Sequence, residues 1–394
     1  MTRLERISAD GMSSATGPGG GARGRRVAIV LPGLRAGGSE HVVTFLSDRL
    51  VRLGYDVTII NFETGEEPPY YPVDERVRIR YLGRPVMRRS RLGGALAIAR
   101  RIGDLREALR EARPDLVLSF LTRTNIQTLA AARGLGCPVI VSERNNPVRQ
   151  NPGRVWRALR RLAYPRAAGL ITMTRGALEC FPKAARRRGW VIPNMSDFAH
   201  FEPQPHPGAP VLCAVGRLTH QKGFDLLLAA FARIANRFPD WTLRIWGDGP
   251  DRAALEAQVA TLGLGDRVEL PGVTDRPGEW IETSDAFVLS SRFEGWGLVL
   301  GEAMAAGLPC VSYACPFGPE DMITDGEDGL LARDGDVADL AEQLARVLGD
   351  AALRDRLGAA AKASSRRFEP DRIGERWEAV IEGIFVELEL EESR

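Results

Sequence analysis

The sequence predicts an α/β fold built from two doubly wound parallel-sheet domains. Short apolar runs alternate with helical segments along most of the 394-residue chain, and this alternation is typical of parallel sheets that carry helices on both faces. A chain of this length is also long enough for two domains of ordinary size. Residues 203–210 contain four prolines in eight positions, which indicates a stiff linker. We therefore expect a first domain over 25–202 and a second over 211–369.

The composition argues against several classes of protein. The chain has no run of about 18 apolar residues, the length that a membrane-spanning helix needs. Residues 1–24 contain glycine, serine and charged residues without an apolar segment, so we predict a disordered leader and not a secretory signal. The five cysteines include no C-x-x-C pair. This favours a reduced, cytoplasmic protein over a disulfide framework or a cysteine-based zinc site.

The charge is divided unevenly along the chain. Residues 1–205 hold 34 Lys and Arg against 18 Asp and Glu, a net charge of +16. Residues 206–394 hold 19 against 33, a net charge of −14. A basic first half favours contact with an anionic surface or an anionic substrate. No RNA- or DNA-binding module is visible, so nucleic acid is not expected as a partner.

The first domain opens with a strand at 26–31, a glycine-rich turn, and a helix from about His41 to Leu53. Such a strand, turn and helix start can hold a phosphate. Dinucleotide binding is the rival interpretation, but its G-x-G-x-x-G pattern is absent because the glycines stand at 33, 37 and 38. The other predicted strands lie at 57–60, 77–80, 116–120, 139–141, 170–173 and 190–192, and the predicted helices at 92–112 and 124–133.

Two segments follow strands of this sheet at the edge where ligands are expected. Ligands of doubly wound sheets bind beyond the carboxyl ends of the strands. Residues 122–125 follow the strand at 116–120, and residues 143–145 follow the strand at 139–141. We therefore expect both segments at the mouth of a cleft.

Two segments of the first domain are strongly basic. Residues 84–113 hold nine Arg against three acidic residues, and residues 149–166 hold six Arg and no acidic residue. In the second segment Trp156 and several leucines are interleaved with the arginines, a pattern typical of helices that lie in a membrane interface. The alternative is a solvated basic face whose apolar residues pack on the sheet. Together with the charge of the first half, the pattern favours peripheral contact with an anionic membrane.

The second domain repeats the pattern of the first. Its predicted strands lie at 211–215, 243–246, 268–270, 285–289, 309–313 and 330–331, and its predicted helices at 225–237, 251–262, 277–283 and 337–388. Asp334 and Asp336 form a D-x-D pattern, which can hold a divalent ion. Because the pattern follows a strand at the start of a helix, a helix N-cap is the better interpretation, and no metal site is predicted.

The stretch 290–307 combines a loop, two carboxylates and a buried helix that Gly307 ends. Glu294 and Glu302 stand eight residues apart, or about 12 Å along the axis if the span is fully helical. Between them, Gly295 and Gly297 leave the first N–H groups of the helix uncovered, and such a helix start can bind an anion. On this evidence alone, a buried strand–helix unit with two incidental acids remains an equal alternative.

A second candidate pair is Arg217 and Lys222, five residues apart in a loop flanked by Gly216 and Gly223. Both side chains can turn toward one anion, Arg as a planar fork and Lys as a point charge. Taken alone, two surface charges are the simpler interpretation.

The whole strings Glu-Gly-Trp-Gly-Leu with Glu-x7-Glu, and Gly-Arg-Leu-x3-Lys-Gly-x-Asp, resemble the retaining glycosyltransferases of family 4, which have the GT-B architecture of two Rossmann-like domains facing a cleft. The resemblance implies a catalytic set of Arg217, Lys222 and Glu294, with Arg217 and Lys222 binding the donor diphosphate. It implies that Glu294 binds sugar hydroxyls and Glu302 the ribose. The other implied donor-binding residues are Gly38 of the Gly-Gly-x-Glu turn, Val273 beside the base, and the backbone of Gly295, Trp296, Gly297 and Leu298.

The resemblance carries further expectations. Residues 247–250, Gly-Asp-Gly-Pro, match another family element, to which we assign a structural role near the nucleotide; the alternative is a plain turn before a helix. The last helix, about 370–388, is expected to cross back onto the first domain. No cofactor or metal is expected if the two cations neutralise the phosphates. One departure is the His that many relatives carry after the fourth strand, since the histidines of this domain are His41 and His200.

Three strings resemble a subgroup that acts on lipid-linked oligosaccharides: Ser-Phe-Leu-Thr-Arg-Thr-Asn at 119–125, Ser-Glu-Arg-Asn-x-Pro at 142–147 and Cys-Pro-x-Gly-Pro at 315–319. This subgroup usually uses UDP-galactose-like or UDP-N-acetylhexosamine donors. The implied acceptor-binding residues are Arg123, Asn125, Glu143 and Arg144. For Arg123 and Arg144, structural salt bridges are an equal alternative.

The sequence thus predicts a retaining glycosyltransferase that moves a hexose or N-acetylhexosamine from a UDP-sugar to a polyprenyl-diphosphate-linked saccharide at the cytoplasmic membrane face. One alternative is a nucleotide-sugar epimerase of GT-B fold, for which a cleft His is not evident. Another is a non-catalytic sugar-nucleotide-binding subunit, against which the intact Arg217, Lys222, Glu294 and Glu302 argue.

Overall fold

The computed structural model describes residues 24–35, 37–84, 91–149, 152–204 and 208–393. The predicted leader therefore lies outside the described residues except for Gly24. Residues 205–207 of the predicted linker and 85–90 of the first basic segment also lie outside them.

The first domain is a parallel sheet of seven strands in the order β3-β2-β1-β4-β5-β6-β7. The strands are β1 (Arg26–Leu31), β2 (Asp56–Asn61), β3 (Arg78–Tyr81), β4 (Leu116–Phe120), β5 (Val139–Ser142), β6 (Gly169–Thr172) and β7 (Gly189–Val191). The helices are α1 (Gly38–Arg52), α2 (Arg91–Ala112), α3 (Thr122–Ala131), α4 (Arg154–Ala163) and α5 (Arg175–Glu179).

The second domain is a parallel sheet of six strands in the order β10-β9-β8-β11-β12-β13. The strands are β8 (Val211–Val215), β9 (Thr242–Trp246), β10 (Val268–Gly272), β11 (Ala286–Leu289), β12 (Cys310–Tyr313) and β13 (Leu330–Ala332). The helices are α6 (Phe224–Ile234), α7 (Arg252–Thr261), α8 (Glu279–Glu282), α9 (Leu298–Ala306), α10 (Pro319–Met322), α11 (Val337–Gly349), α12 (Ala351–Ser365) and α13 (Pro370–Glu392).

The predicted fold class is confirmed by these two sheets. Central strands such as β4 and β11 are buried at every position, because helices cover both faces of a parallel sheet. The sequence analysis missed α5 and α10, which are five and four residues long. Segments this short do not complete enough turns to show a helical period.

The last helix, α13, lies on the first domain, the location that the family resemblance implies. Trp377 is fully buried there, in one core cluster with Phe120 of β4 and with residues of β1 and α1. Arg49 of α1 also binds Asp371 and Glu378 of this helix. The helix therefore joins the end of the chain to the sheet of the other domain.

The chain passes into the second domain earlier than the predicted linker at 203–210. Ser196 N–H donates to Phe368 O over 2.9 Å, and Gln204 N–H donates to Glu282 O over 3.1 Å. Phe198 and Phe201 pack in a core cluster of the second domain. The crossing between the domains therefore lies before Ser196. Packing of Phe198 and Phe201 fixes residues 196–204 on the second domain, so the prolines at 203–210 do not mark the crossing.

Candidate active site

The central stretch forms the expected strand, loop and helix. β11 ends at Leu289, and α9 begins at Leu298 after Gly297, whose φ of 92° is in the left-handed region. Gly307 ends the helix with a φ of 84°, as predicted. Only the part of the Glu294–Glu302 span from Leu298 onward is helical, so the estimate for a fully helical span does not apply.

Lys222 and Glu294 form an ion pair inside this site. Lys222 Nζ lies 2.7 Å from Glu294 Oε1, and the two side chains are 17% and 8% exposed. Ser291 Oγ also donates to Glu294 Oε1 over 2.7 Å. Ser290 Oγ donates to Lys222 O over 2.9 Å, so the loops that carry the two charges are joined by backbone and side-chain bonds.

Arg217 lies on a loop that packs closely against residues 247–250. Leu218 N–H donates to Asp248 O over 2.9 Å, and Asp251 N–H donates to Leu218 O over 3.1 Å. A Cβ at Gly249 would collide with the backbone of Leu218. The Gly-Asp-Gly-Pro element thus supports the Arg217 loop. The Arg217 side chain is exposed, and its guanidinium has no hydrogen bond or ion pair to any described residue.

Glu302 lies on α9 in a shielded position. Burial raises the pKa of Glu302 to about 7, and the negative charge of Asp197 adds to the effect. The charge of Lys222 acts in the opposite direction and lowers this pKa. Lys222 therefore lies within electrostatic range of both predicted acids, which brings three of the four predicted charged residues into one site.

The first domain contacts this site directly. Asn146 Nδ2 donates to Glu294 O over 2.9 Å and to Pro316 O over 3.2 Å. A Cβ at Gly295 would lie 2.9 Å from Met173 Cε, and a Cβ at Gly38 would collide with the side chain of Leu298. The site therefore lies between the two domains.

Two predicted donor-binding residues, Val273 and Trp296, differ in the exposure of their side chains. Val273 follows β10 directly, and its side chain is 73% exposed, so it is open to a ligand. Trp296 is buried, with its ring edge against Phe368 at a centroid distance of 5.0 Å. Its side chain supports the loop, and only its backbone remains to face a ligand, as the resemblance implies.

Three of the four predicted acceptor residues are buried and bonded internally. Glu143 accepts from Thr122 Oγ1 over 2.8 Å and from the Tyr164 hydroxyl, and burial raises the pKa of this carboxyl. Asn125 Nδ2 donates to Tyr164 Oη and to Ser142 O, each over 3.0 Å. These side chains hold β5 and α3 together, so their burial corrects the expectation that they face the cleft mouth.

Arg144 and Arg123 differ from each other. Arg144 is buried, donates to Asn194 Oδ1 over 3.1 Å and lies over the Trp377 ring, and burial lowers its pKa to about 9. Arg144 therefore has a structural role, the alternative to acceptor binding, and it fills this role through hydrogen bonds and not through a salt bridge. Arg123 is exposed, with its guanidinium 5.6 Å from the Trp156 ring, so it alone of the four remains accessible to an acceptor.

The sequence analysis missed a polar group on the first-domain side of the site. The rings of His41 and Tyr71 stack with centroids 4.7 Å apart, and His41 Nε2 lies 3.9 Å from Asp197 Oδ2. Burial, Tyr70, Glu302 and Glu40 raise the pKa of Tyr71 to about 12. These residues come from separate parts of the chain, and no motif links them.

Among the described residues, no group of three or more His, Cys, Asp and Glu side chains could hold a metal ion. Asp336 caps α11 as predicted, since its side chain accepts from the N–H groups of Ala338 and Asp339. In the part of the chain that the structure describes, no helix is both long and apolar enough to cross a membrane.

The two basic helices differ in packing. α2 buries Leu105 and Leu109 in the core of the first domain. α4 has no buried residue, and Val155 and Leu162 are 71% and 65% exposed beside its arginines. Trp156 is half-buried against that core. The packing alternative therefore holds for α2, whereas α4 keeps an exposed face of Arg, Val and Leu.

Comparison with protein families assigns both halves of the chain. Residues 37–194 match the model of the glycosyl transferase 4-like domain, and residues 196–364 match that of glycosyl transferases group 1. The chain is 30% identical over 360 residues to the Campylobacter jejuni GalNAc-alpha-(1->4)-GalNAc-alpha-(1->3)-diNAcBac-PP-undecaprenol alpha-1,4-N-acetyl-D-galactosaminyltransferase, and the match covers 90% of this chain and 98% of that protein.

Solved structures share the fold. A sucrose-phosphate synthase of Thermosynechococcus elongatus superposes with a TM-score of 0.80 at 20% identity, covering 92% of this chain and 99% of that one. HepE of Anabaena in complex with UDP superposes with a TM-score of 0.74 at 19% identity, covering 91% of this chain and 100% of that one. At these identities the likeness establishes the two-domain GT-B fold.

Proposed function

This chain belongs to the group 1, family 4-like glycosyltransferases of GT-B fold, and on that premise we propose that it is a retaining, metal-independent hexosyltransferase. Its donor is a UDP-linked hexose or N-acetylhexosamine, and its acceptor is a saccharide on a polyprenyl diphosphate. The observation that carries the proposal is the Lys222–Glu294 ion pair, which lies at a helix start between the domains.

The two cations are the groups that help the leaving diphosphate. As the bond from the anomeric carbon to the diphosphate breaks, negative charge grows on the phosphate oxygens, and fixed cations stabilise that charge. An ammonium has three N–H donors, and Lys222 uses one of them in its hydrogen bond to Glu294. It can therefore bind a phosphate oxygen and keep its carboxylate partner. Arg217 adds a planar fork that has no competing partner among the described residues.

Glu294 is the group that binds the sugar. Its Oε1 accepts from Lys222 and Ser291. No described donor reaches Oε2, which is left to accept from a sugar hydroxyl. Backbone N–H groups of Leu298 and Val299 lack intrahelical partners at the start of α9, and they offer an anion site for the phosphates.

Retention follows from attack on the donor's own face, with the leaving phosphate taking the acceptor proton. This route needs no nucleophile from the chain. It also needs no metal, because Arg217 and Lys222 neutralise the phosphates in place of a divalent ion.

The acceptor is proposed from the relative in Campylobacter jejuni, whose name specifies an undecaprenol-linked substrate, and from α4. A helix with arginines beside exposed Val155 and Leu162 suits a peripheral position in an anionic membrane interface. Such contact would bring the cleft to a polyprenyl-linked acceptor at the cytoplasmic face.

The test is UDP release from a panel of UDP-hexoses and UDP-N-acetylhexosamines, with and without a polyprenyl-diphosphate-linked saccharide. We expect release with one donor, faster with the acceptor present, and a loss of at least about 100-fold in Lys222→Ala. Lys362→Ala is the matched control, because Lys362 pairs with the exposed Glu202 away from the site. An epimerised donor without UDP would indicate the epimerase, and donor binding without turnover would indicate a silent subunit.

A further inference from the structure

The first domain presents a built polar surface to the cleft. It consists of His41 on α1 and Tyr71 in the segment between β2 and β3, and Asp197, just after the chain has crossed to the second domain, lies beside His41. The His41 and Tyr71 rings stack at 4.7 Å with an interplanar angle of 24°. His41 Nε2 lies 3.9 Å from Asp197 Oδ2. Three distant parts of the chain therefore hold the Tyr71 ring in one orientation.

This surface lies opposite Glu302. Gly38, at the start of the helix that carries His41, is packed against Leu298 at the start of α9. Tyr71 and Asp197 both interact electrostatically with Glu302, which is itself shielded from water. The surface is thus the first-domain side of the subsite that Glu302 forms on the second domain.

The Tyr71 hydroxyl proton is available to a hydrogen-bond acceptor on a ligand. It accepts the N–H of Gly37, and a phenol has one proton to donate besides its acceptor lone pairs. No described acceptor takes that proton. The pKa of Tyr71, raised to about 12, keeps the group a donor at physiological pH.

We propose that Tyr71 binds the ribose of the donor from the first-domain side by donating its hydroxyl proton to a ribose oxygen, and that His41 is the positioning residue that holds its ring. The inference rests on the proposed function, in which Glu302 accepts from the ribose. A ribose hydroxyl both donates and accepts, so one hydroxyl can donate to Glu302 and accept from Tyr71.

The test is calorimetric titration of the full chain with UDP, 2′-deoxy-UDP and 3′-deoxy-UDP. Tyr71→Phe removes the hydroxyl and keeps the ring, and we expect UDP affinity to fall about three- to tenfold, the value of one hydrogen bond. Tyr70→Phe is the control, because Tyr70 is largely exposed beside Tyr71, and it should change affinity less than about twofold. Against one of the deoxy analogues, Tyr71→Phe should bind as the wild type does.

The positioning role of His41 is tested by two substitutions of its ring. His41→Ala should weaken UDP binding about as much as Tyr71→Phe, and His41→Phe, which retains a stacking ring, should restore most of it. Melting temperatures identify variants that fail to fold.

Wild-type affinity in Tyr71→Phe would overturn the inference, and so would a loss that is the same for UDP and both deoxy analogues. The proposed function is tested separately by Lys222→Ala. If Lys222→Ala strongly weakens UDP binding while Tyr71→Phe binds UDP as the wild type does, the proposed function stands and this inference fails. If the wild type binds no UDP, both fail.

Discussion

Lys222 Nζ and Glu294 Oε1 lie 2.7 Å apart, so the two groups proposed for phosphate and sugar bind each other before any substrate arrives. The pair links the loop after β8 to the loop after β11. A shielded carboxylate without such a partner would be costly. The ion pair therefore holds both side chains, and the two loops that carry them, in place.

Breaking this pair should destabilise the protein. Lys222→Met leaves the Ser291 hydroxyl as the remaining hydrogen-bond donor to Glu294 among the described residues. We expect the free energy of unfolding to fall by about 1–3 kcal/mol, less than for a fully buried pair because Lys222 is partly exposed. Adding Glu294→Gln removes the stranded charge and should recover about half of the loss. Urea unfolding is the measurement. Lys362→Met, at an exposed pair, should cost less than about 0.5 kcal/mol; an equal loss in both Lys variants would contradict the argument.

Donor binding should depend on pH through Glu302. Burial and Asp197 raise the pKa of this carboxyl to about 7, and the ionised form accepts hydroxyl hydrogen bonds best. UDP-sugar affinity should therefore increase as pH rises through 7, and Glu302→Gln should remove that increase. A UDP-sugar is the suitable ligand because its diphosphate does not titrate in this range.

The raised pKa of Glu302 also determines how the free energy of unfolding changes with pH. Between the ordinary pKa of 4.5 and the native value of about 7, the native carboxyl holds a proton that the unfolded chain has lost. The free energy of unfolding therefore falls as pH rises through this window. Glu302→Gln should make the profile flatter, and identical pH slopes in wild type and variant would contradict the assignment.

The charged residues of the site could be predicted because short motifs carry them. Glycines at 216, 223 and 297 have positive φ angles and so fix the local backbone of the loops that present Arg217, Lys222 and Glu294. The sequence near each residue is therefore enough. The class of the two parallel sheets is likewise indicated by apolar runs that alternate with helices. Both kinds of signal are local.

The first-domain side could not be predicted because its partners are distant in sequence. Residues after β5 are at the mouth of the cleft in the backbone, but Glu143 turns inward because Tyr164 and Thr122 bind it. Tyr71 turns toward the cleft because His41 stacks on it. Side-chain direction depends on contacts that the chain makes only after folding, and neither residue lies in a glycine-defined motif.

The glycine at 249 should be required for donor binding. A Cβ there would collide with the backbone of Leu218, which cannot move without shifting Arg217. We expect Gly249→Ala to lower UDP affinity about as much as Arg217→Ala, roughly tenfold for one charge-assisted contact. It should also cost about 1–3 kcal/mol of stability.

Arg217→Ala separates these two effects, since that side chain is exposed and its removal should leave the free energy of unfolding within about 0.5 kcal/mol. Gly265→Ala is the matched control, because a Cβ at Gly265 would meet nothing within 4 Å. Calorimetry and urea unfolding measure both quantities. Wild-type affinity in Gly249→Ala would show that the Arg217 loop does not depend on this contact.

Membrane contact by α4 should depend on its exposed apolar residues. Val155 and Leu162 are largely exposed and belong to no core cluster of the described residues, so Val155→Ser with Leu162→Ser should change the melting temperature little. The protein should sediment with vesicles that contain anionic lipid, and the double variant should lose most of this binding, because apolar burial and charge act together at an interface. Val386→Ser with Leu390→Ser is the matched control, since these exposed residues lie on α13. Equal sedimentation of both double variants, or none by the wild type at low salt, would remove α4 as the membrane contact.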